Sequence, residues 1–413
     1  MEILYSLYRY GALPGPSGTA KPCVESCTSQ LHLFAQPRSP ALCYNRLRNA
    51  MRIRTLPAWL GVALFCVPAY GQQPYDGPLL DKVEPQVRQP LKDLPEAVVA
   101  ETGRLVYTVS PLSSKGLLSQ QIGDALDALL QRAKQAPIVG LRAFVAGSGD
   151  TRRVRSAVAE IFTARHLPMP VLTAVQAGGL PGTGVQIVIE ATGVSRQAGN
   201  SQGIAFLHAE ASDATDLPAR VTPLLRRVLS GLQTDLSASG IDGKDVLRAT
   251  CFVSSLEDQA DARRAISTEF PKASLNLVQP LRAPPHGLAQ CEIVARIGGT
   301  ARGAPPAAGQ SRVAMVRARR VLLSGGQIAF GVREEDARLA YRRLGKVLEE
   351  NGSSLRQAAW LSIYALTAPL GEQARRIGGE SPNAGQPLAG PILVCEDLPA
   401  LDASFAVDVV APL

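Results

Sequence analysis

The residues able to do chemistry are few, and their spacing excludes most reactions. His166, His208 and His286 are scattered and show no metal-ligand spacing, so no metal is expected. Cys251, Cys291 and Cys395 lie in apolar or alternating runs. If Gly71 is the last residue removed, these three of the seven cysteines remain; their odd number implies no disulfide framework, and they read as buried, inert thiols. No Ser/His/Asp arrangement stands out. Gly178-Gly179 and Gly325-Gly326 read as turns, because neither opens a helix as a phosphate loop does, and no cofactor is expected. The net charge of +8 looks suited to a polyanion, but residues 1–71 supply +5 of it, from seven Lys/Arg and two Asp/Glu. What is left argues against nucleic acid as a partner.

The elements that would position a site begin late in the chain. Residues 51–71 have the layout of a secretory signal: Arg52 and Arg54, an apolar run from Leu56 to Val67, Pro68, then Ala69-Tyr70-Gly71 as a small-x-small cleavage site. Residues 1–50 read as an upstream extension, with the natural start at Met51. The alternative is a true N-terminal extension with an internal membrane anchor. Export to the periplasm or medium follows from the signal, with no membrane contact after its removal. Residues 72–100, rich in Pro and Gln, read as a linker.

After the linker one order of elements recurs three times. The first pass has strands at Leu105–Ser110 and Ile138–Ala146, helices at Gly116–Lys134 and Thr151–Arg165, then strands at Val171–Ala177 and Val185–Thr192. Asp150 is placed to start the second helix. The second pass repeats the pattern from Ile204 to Ile297. The third runs from Val321 to Val410, with a helix Glu334–Glu350 expected to end at Asn351-Gly352. Phe144 and Phe252 stand 108 residues apart, as do Asp150 and Asp258; Phe252 and Tyr364 stand 112 apart. A period this long indicates triplicated domains rather than a solenoid. The expected units are 101–196, 197–299 and 312–413, with a Gly/Pro/Ala linker at 300–311. One large mixed sheet is the alternative.

The middle unit carries a family resemblance. Asp245-Val246-Leu247-Arg248-Ala249-Thr250-Cys251-Phe252-Val253-Ser254 resembles the central strand of RidA/YjgF (L-PSP) proteins. Ser255-Leu256-Glu257-Asp258 resembles the acidic turn that follows, and Glu269-Phe270-Pro271 the end of the second helix. In the third unit Leu323-Ser324-Gly325-Gly326-Gln327-Ile328 and Asn351-Gly352-Ser353-Ser354-Leu355 match other family segments; the first unit rests on Leu141–Val145 and Gln186–Ala191. The resemblance implies an α+β fold, similar to chorismate mutase: three tandem RidA-like units, each a mixed β-sheet with two helices. They are expected to pack as an intrachain pseudo-trimer, a monomer with clefts between units. The physics agrees, since a sheet covered by helices on one face must bury the other.

The resemblance also implies a site. Active relatives grip a substrate carboxylate with an Arg, whose planar guanidinium binds both oxygens. Leu172, Ala273 and Gly390 are read at that position, so the grip is missing. Lys272, or Arg282 in the nearby turn, are the candidate replacements for ligand binding. A family carboxylate on the last strand corresponds to Glu190 in the first unit and Asp408 in the third, with Val294 in the second. These are the catalytic candidates, with a paired structural role as the competing reading. The expectation is a binder of a small molecule at interdomain clefts, lacking the usual deaminase activity. The alternative is an imine/enamine deaminase or related hydrolase with altered anion binding. RNA cleavage is disfavoured by charge and by the absence of aromatic–basic interleaving.

Overall fold

The computed structural model describes residues 91–133, 136–147, 150–200, 203–213, 220–280, 287–298, 312–380, 389–400 and 402–413. The signal segment, the 300–311 linker and Arg282 lie outside the described residues.

Among the described residues six α-helices form where apolar residues recur on one side. α1 (Leu118–Arg132) buries Leu118, Ile122, Leu126 and Leu129, and α2 (Thr151–Ala164) buries Val154, Val158 and Phe162. Asp150 caps α2 by accepting from the Arg152 amide at 2.9 Å. α3 (Thr222–Ala238) and α4 (Gln259–Glu269) follow, then α5 (Glu334–Glu350) and α6 (Ala368–Gly379). Asp258 caps α3 rather than its own helix, its carboxylate accepting from the Thr222 amide. α5 ends as expected: Gly352 takes φ +79°, and the Ser353 amide donates back to Leu348.

The strands make three mixed sheets with one topology. The first joins β2 (Leu105–Val109), β5 (Ile187–Val194), β3 (Ile138–Ala146) and β4 (Val171–Ala177) in that spatial order. The second has β6 (Ile204–Asp213), β9 (Gly287–Arg296), β7 (Val246–Val253) and β8 (Ser274–Val278) in the same order. The third has β11 (Arg320–Ser324) and β12 (Gln327–Phe330) beside β15 (Ala403–Pro412), then β13 (Trp360–Ala365) and β14 (Ile392–Val394). In each, the middle strand pairs in parallel with the next strand in sequence and antiparallel with the last.

Two further strands join these sheets. β1 (Ala97–Glu101) pairs with β11, and β10 (Val313–Val316) with β6. Residues 97–100, expected within a linker, are thus part of the third sheet. The first sheet receives no added strand from the described residues. Its β2 edge is covered by side chains instead: Asn200 donates to the Leu105 carbonyl, Ser274 to Tyr107 and Arg132 to Val109.

Each sheet packs one face on its own two helices, around Ile122 and Phe162, around Leu232 and Ile266, and around Leu344 and Ile377. The opposite faces meet each other. Phe144, Phe252 and Tyr364 share one cluster there, with the two phenylalanine rings edge-on at 5.8 Å.

One expectation about the thiols is overturned. Cys251 and Cys291 face each other across β7 and β9 and form a disulfide in the second sheet. Direct cross-strand opposition brings the two sulfurs within bonding reach, which a count of cysteines does not reveal. Among the described residues Cys395 is the free thiol; it is buried, and burial pushes it up to about 12.

Candidate functional site

Where the three sheets meet, register sets equivalent residues in rows. Arg142 stands opposite Glu190, Thr250 opposite Glu292, and Ser362 opposite Asp408. Glu292 therefore holds the place read as Val294, which lies two residues on, opposite Arg248. A two-residue slip keeps the same face of the strand, so alternation of apolar residues does not expose it.

These side chains form one buried network. Arg142 pairs with Glu292 and lies 3.5 Å from Glu190; Arg248 lies 3.3 Å from the same Glu190 oxygen. The other Glu190 oxygen accepts from Thr250 and from Asn276, the latter at 3.2 Å. Burial alone would raise the Glu190 pKa, but Arg248, Arg142 and these donors outweigh it and hold the carboxyl below its usual range. Asp408 goes the other way: burial dominates and raises it, and Glu292 adds to the rise against the pull of Arg142. Thr173 donates to Asp408 at 3.4 Å. Arg248 also lies 5.0 Å from the Tyr107 ring, and burial pushes that phenol up to about 12.

The network borders a cavity of about 70 Å³ lined by Arg142, Arg248, Glu190, Asp408, Tyr107 and Trp360, among others. Arg142 Nε, Glu190 Oε2 and the Tyr107 hydroxyl find no hydrogen-bond partner among the described residues. That volume suits a few water molecules and is well below the roughly 300 Å³ of ordinary ligand pockets. Among the described residues, no three His, Cys, Asp or Glu side chains gather as a metal site.

A second, larger space opens between the first and second sheets. This cleft of about 300 Å³ lies between the end of β2 and the strand β8. Two guanidiniums, Arg132 from α1 and Arg263 from α4, reach it; Ser110, Ser274 and Asn276 add polar groups, and Leu112 and Leu275 apolar walls. Among the described residues no carboxylate lines it. Arg132 donates to the Val109 carbonyl at 2.7 Å, whereas half-buried Arg263 has no ion pair or hydrogen bond among the described residues. Asn276 touches both places, lining the cleft while donating to Glu190.

The residues expected to act are thus distributed unevenly. Glu190 and Asp408 are brought together in the axial network, away from the cleft lining. Leu172 and Gly390 hold equivalent rows, shared with Leu275; Ala273 lies two residues before that row. A side chain at Gly390 is barred, because its φ is +147° and a Cβ would sit 1.8 Å from the Leu361 carbonyl oxygen. Lys272 is exposed in the turn before β8, within electrostatic reach of Asp242 and absent from both cavities. Arg132 and Arg263 are the cations that sequence reading passed over. One signal was present: Arg155, Arg263 and Arg375 recur at the same 108- and 112-residue spacings as Phe144, Phe252 and Tyr364.

No family model and no curated protein matches the chain. Among solved structures, a member of the YjgF/YER057c/UK114 family from Mycobacterium tuberculosis is 16% identical with a TM-score of 0.21, over 22% of this chain and 79% of that one. A YjgF-family protein from Neisseria meningitidis is 14% identical with a TM-score of 0.21, over 22% and 78%. A Rid-family protein from Yersinia pestis is 20% identical with a TM-score of 0.22, over 24% and 84%. Members of the YjgF/Rid group are therefore what this chain is similar to, each over about a quarter of its length.

Proposed function

We propose that this is an exported, single-chain pseudo-trimer of RidA-like units that binds a small organic anion between its first and second units, without the usual deaminase activity. The observation that carries this reading is the cleft of about 300 Å³, lined by two arginines, neutral polar groups and apolar walls, with no carboxylate among the described residues. An apolar pocket with a few convergent polar groups is the usual form of a small-molecule site. Arg263 is free to bind both oxygens of a carboxylate.

Support for the loss of deamination comes from the carboxylates. Glu190 is held ionised by two arginines and two donors, and neither it nor Asp408 lines the cleft. Leu172, Ala273 and Gly390 offer no positive charge. Export is favoured by the 51–71 signal pattern and by the Cys251–Cys291 disulfide, which suits an oxidising compartment.

The test is calorimetric titration of the protein lacking residues 1–71 with 2-oxobutanoate and with benzoate. Arg263→Met is expected to weaken binding by about tenfold or more, the equivalent of one charge-assisted hydrogen bond. Enzymatically generated 2-iminobutanoate is expected to decay no faster with the protein than in buffer. Accelerated decay that Glu190→Gln or Asp408→Asn abolishes sinks the binding-only reading in favour of a deaminase.

A further inference from the structure

Three equivalent junctions exist in this fold, and they are not equally open. The register of the sheets identifies them. Where the cleft has β2 against β8, the second junction has β6 against β14, and the third has β11 against β4.

At the second junction the space is taken up by the chain itself. Trp360 packs on Phe206 at 5.5 Å and edge-on to His208 at 6.0 Å. Gln290 donates to the Ile392 carbonyl across the junction at 3.2 Å. Ala389, Gly390 and Pro391, the counterparts of the cleft residues Ser274, Leu275 and Asn276, are buried. Arg375, which has the place of Arg263 in the repeat, donates to the Gly390 carbonyl at 3.3 Å instead of facing an open space. β10 also runs along the edge of β6 here.

At the third junction Val171 and Thr173 of β4 and Leu323 and Ser324 of β11 line the cavity of about 70 Å³ described above, which is too small for an organic ligand, and the segment before the first unit packs against the same strands. The Gly325 amide donates to the Glu96 carbonyl at 2.7 Å. A Cβ at Gly325 would meet the carbonyls of Glu96, Pro95 and Leu172 at 3.5, 3.9 and 4.0 Å, so the segment fits between the third sheet and the first. Leu94 packs onto the core of the first sheet and its helices, and β1 pairs with the edge of β11. Among the described residues only the first sheet lacks an added strand, and its β2 edge borders the cleft.

We infer that the chain binds one ligand per polypeptide, in the cleft between the first and second sheets, because its own added strands and side chains leave the other two junctions too small for an organic ligand. This rests on the binding reading above and fixes its stoichiometry. Arg263 is then the one repeat arginine that contacts ligand, while Arg375 serves the backbone.

The experiment is calorimetric titration of the protein lacking residues 1–71 with 2-oxobutanoate and benzoate, comparing wild type, Ser274→Trp, Arg263→Met and Arg375→Met. The expected result is one equivalent per chain, lost on filling the cleft with Ser274→Trp, weakened about tenfold by Arg263→Met, and unchanged by Arg375→Met. Two or three equivalents, or a loss of affinity in folded Arg375→Met matching that of Arg263→Met, overturn the single-site inference and leave the binding reading standing. No saturable binding of either probe to folded wild type overturns both.

Discussion

Around Arg142 the charges do not balance if every group is ionised: Glu190, Glu292 and Asp408 face two guanidiniums. Burial raises the Asp408 pKa while the arginines lower that of Glu190, so Asp408 is the one of these two that holds a proton more readily. The two act oppositely on stability. Asp408 binds its proton more tightly when folded, so its contribution is full below its unfolded value, near 3.9, and is lost as pH rises through the raised one. Glu190 contributes above the ordinary carboxylate range and loses that contribution as pH falls through its depressed value. Melting temperature should therefore decline on the alkaline side of the Asp408 transition, and Asp408→Asn should flatten that decline; an unchanged slope would remove Asp408 from this role. Glu190→Ala leaves two buried cations short of a partner and should cost about 3–5 kcal/mol in denaturant unfolding. Glu190 and Asp408 were picked out because the resemblance places a carboxylate on the last strand of a unit; the structure sets both in the buried network, and whether either acts in catalysis is what Glu190→Gln and Asp408→Asn test. Glu292 was not picked out, since a shift of two keeps a residue on its face. Arg263 was not, because an arginine on an amphipathic helix looks like any solvated cation.

Helices and interior strands could be read because their apolar periods are strong: β3 and β4 have the expected bounds, and α2 differs by a single residue. β1 and β10 escaped notice for a physical reason. Each is short, follows a segment rich in breakers, and pairs with a sheet whose strands lie far off in sequence. Local pattern says nothing about such partners. Their energetic worth can be measured. A chain starting at Thr102 loses the β1–β11 ladder and should be less stable than one starting at Pro90 by about 1–3 kcal/mol, seen as a Tm several degrees lower. Equal melting temperatures would mean that β1 only rests on the sheet.

Three sheets facing one another allow differences that identical subunits cannot have. A symmetric assembly would repeat each axial residue three times. Here arginine stands in one row position, and Thr250 and Ser362 in the other two. Three copies of Arg142 would crowd their charges within one small cavity, which an effective low dielectric penalises. The pairing of β1 has one more consequence. The first and last strands among the described residues, β1 and β15, flank the same β11, and the Leu413 amide donates to the Arg320 carbonyl. Residues 97–413 thus begin and end against the same strand. A circular permutant that joins the C-terminus to the segment before β1 and opens at exposed Gln197–Ala198 should assemble the same three sheets, so the order in which the ribosome delivers the repeats is dispensable.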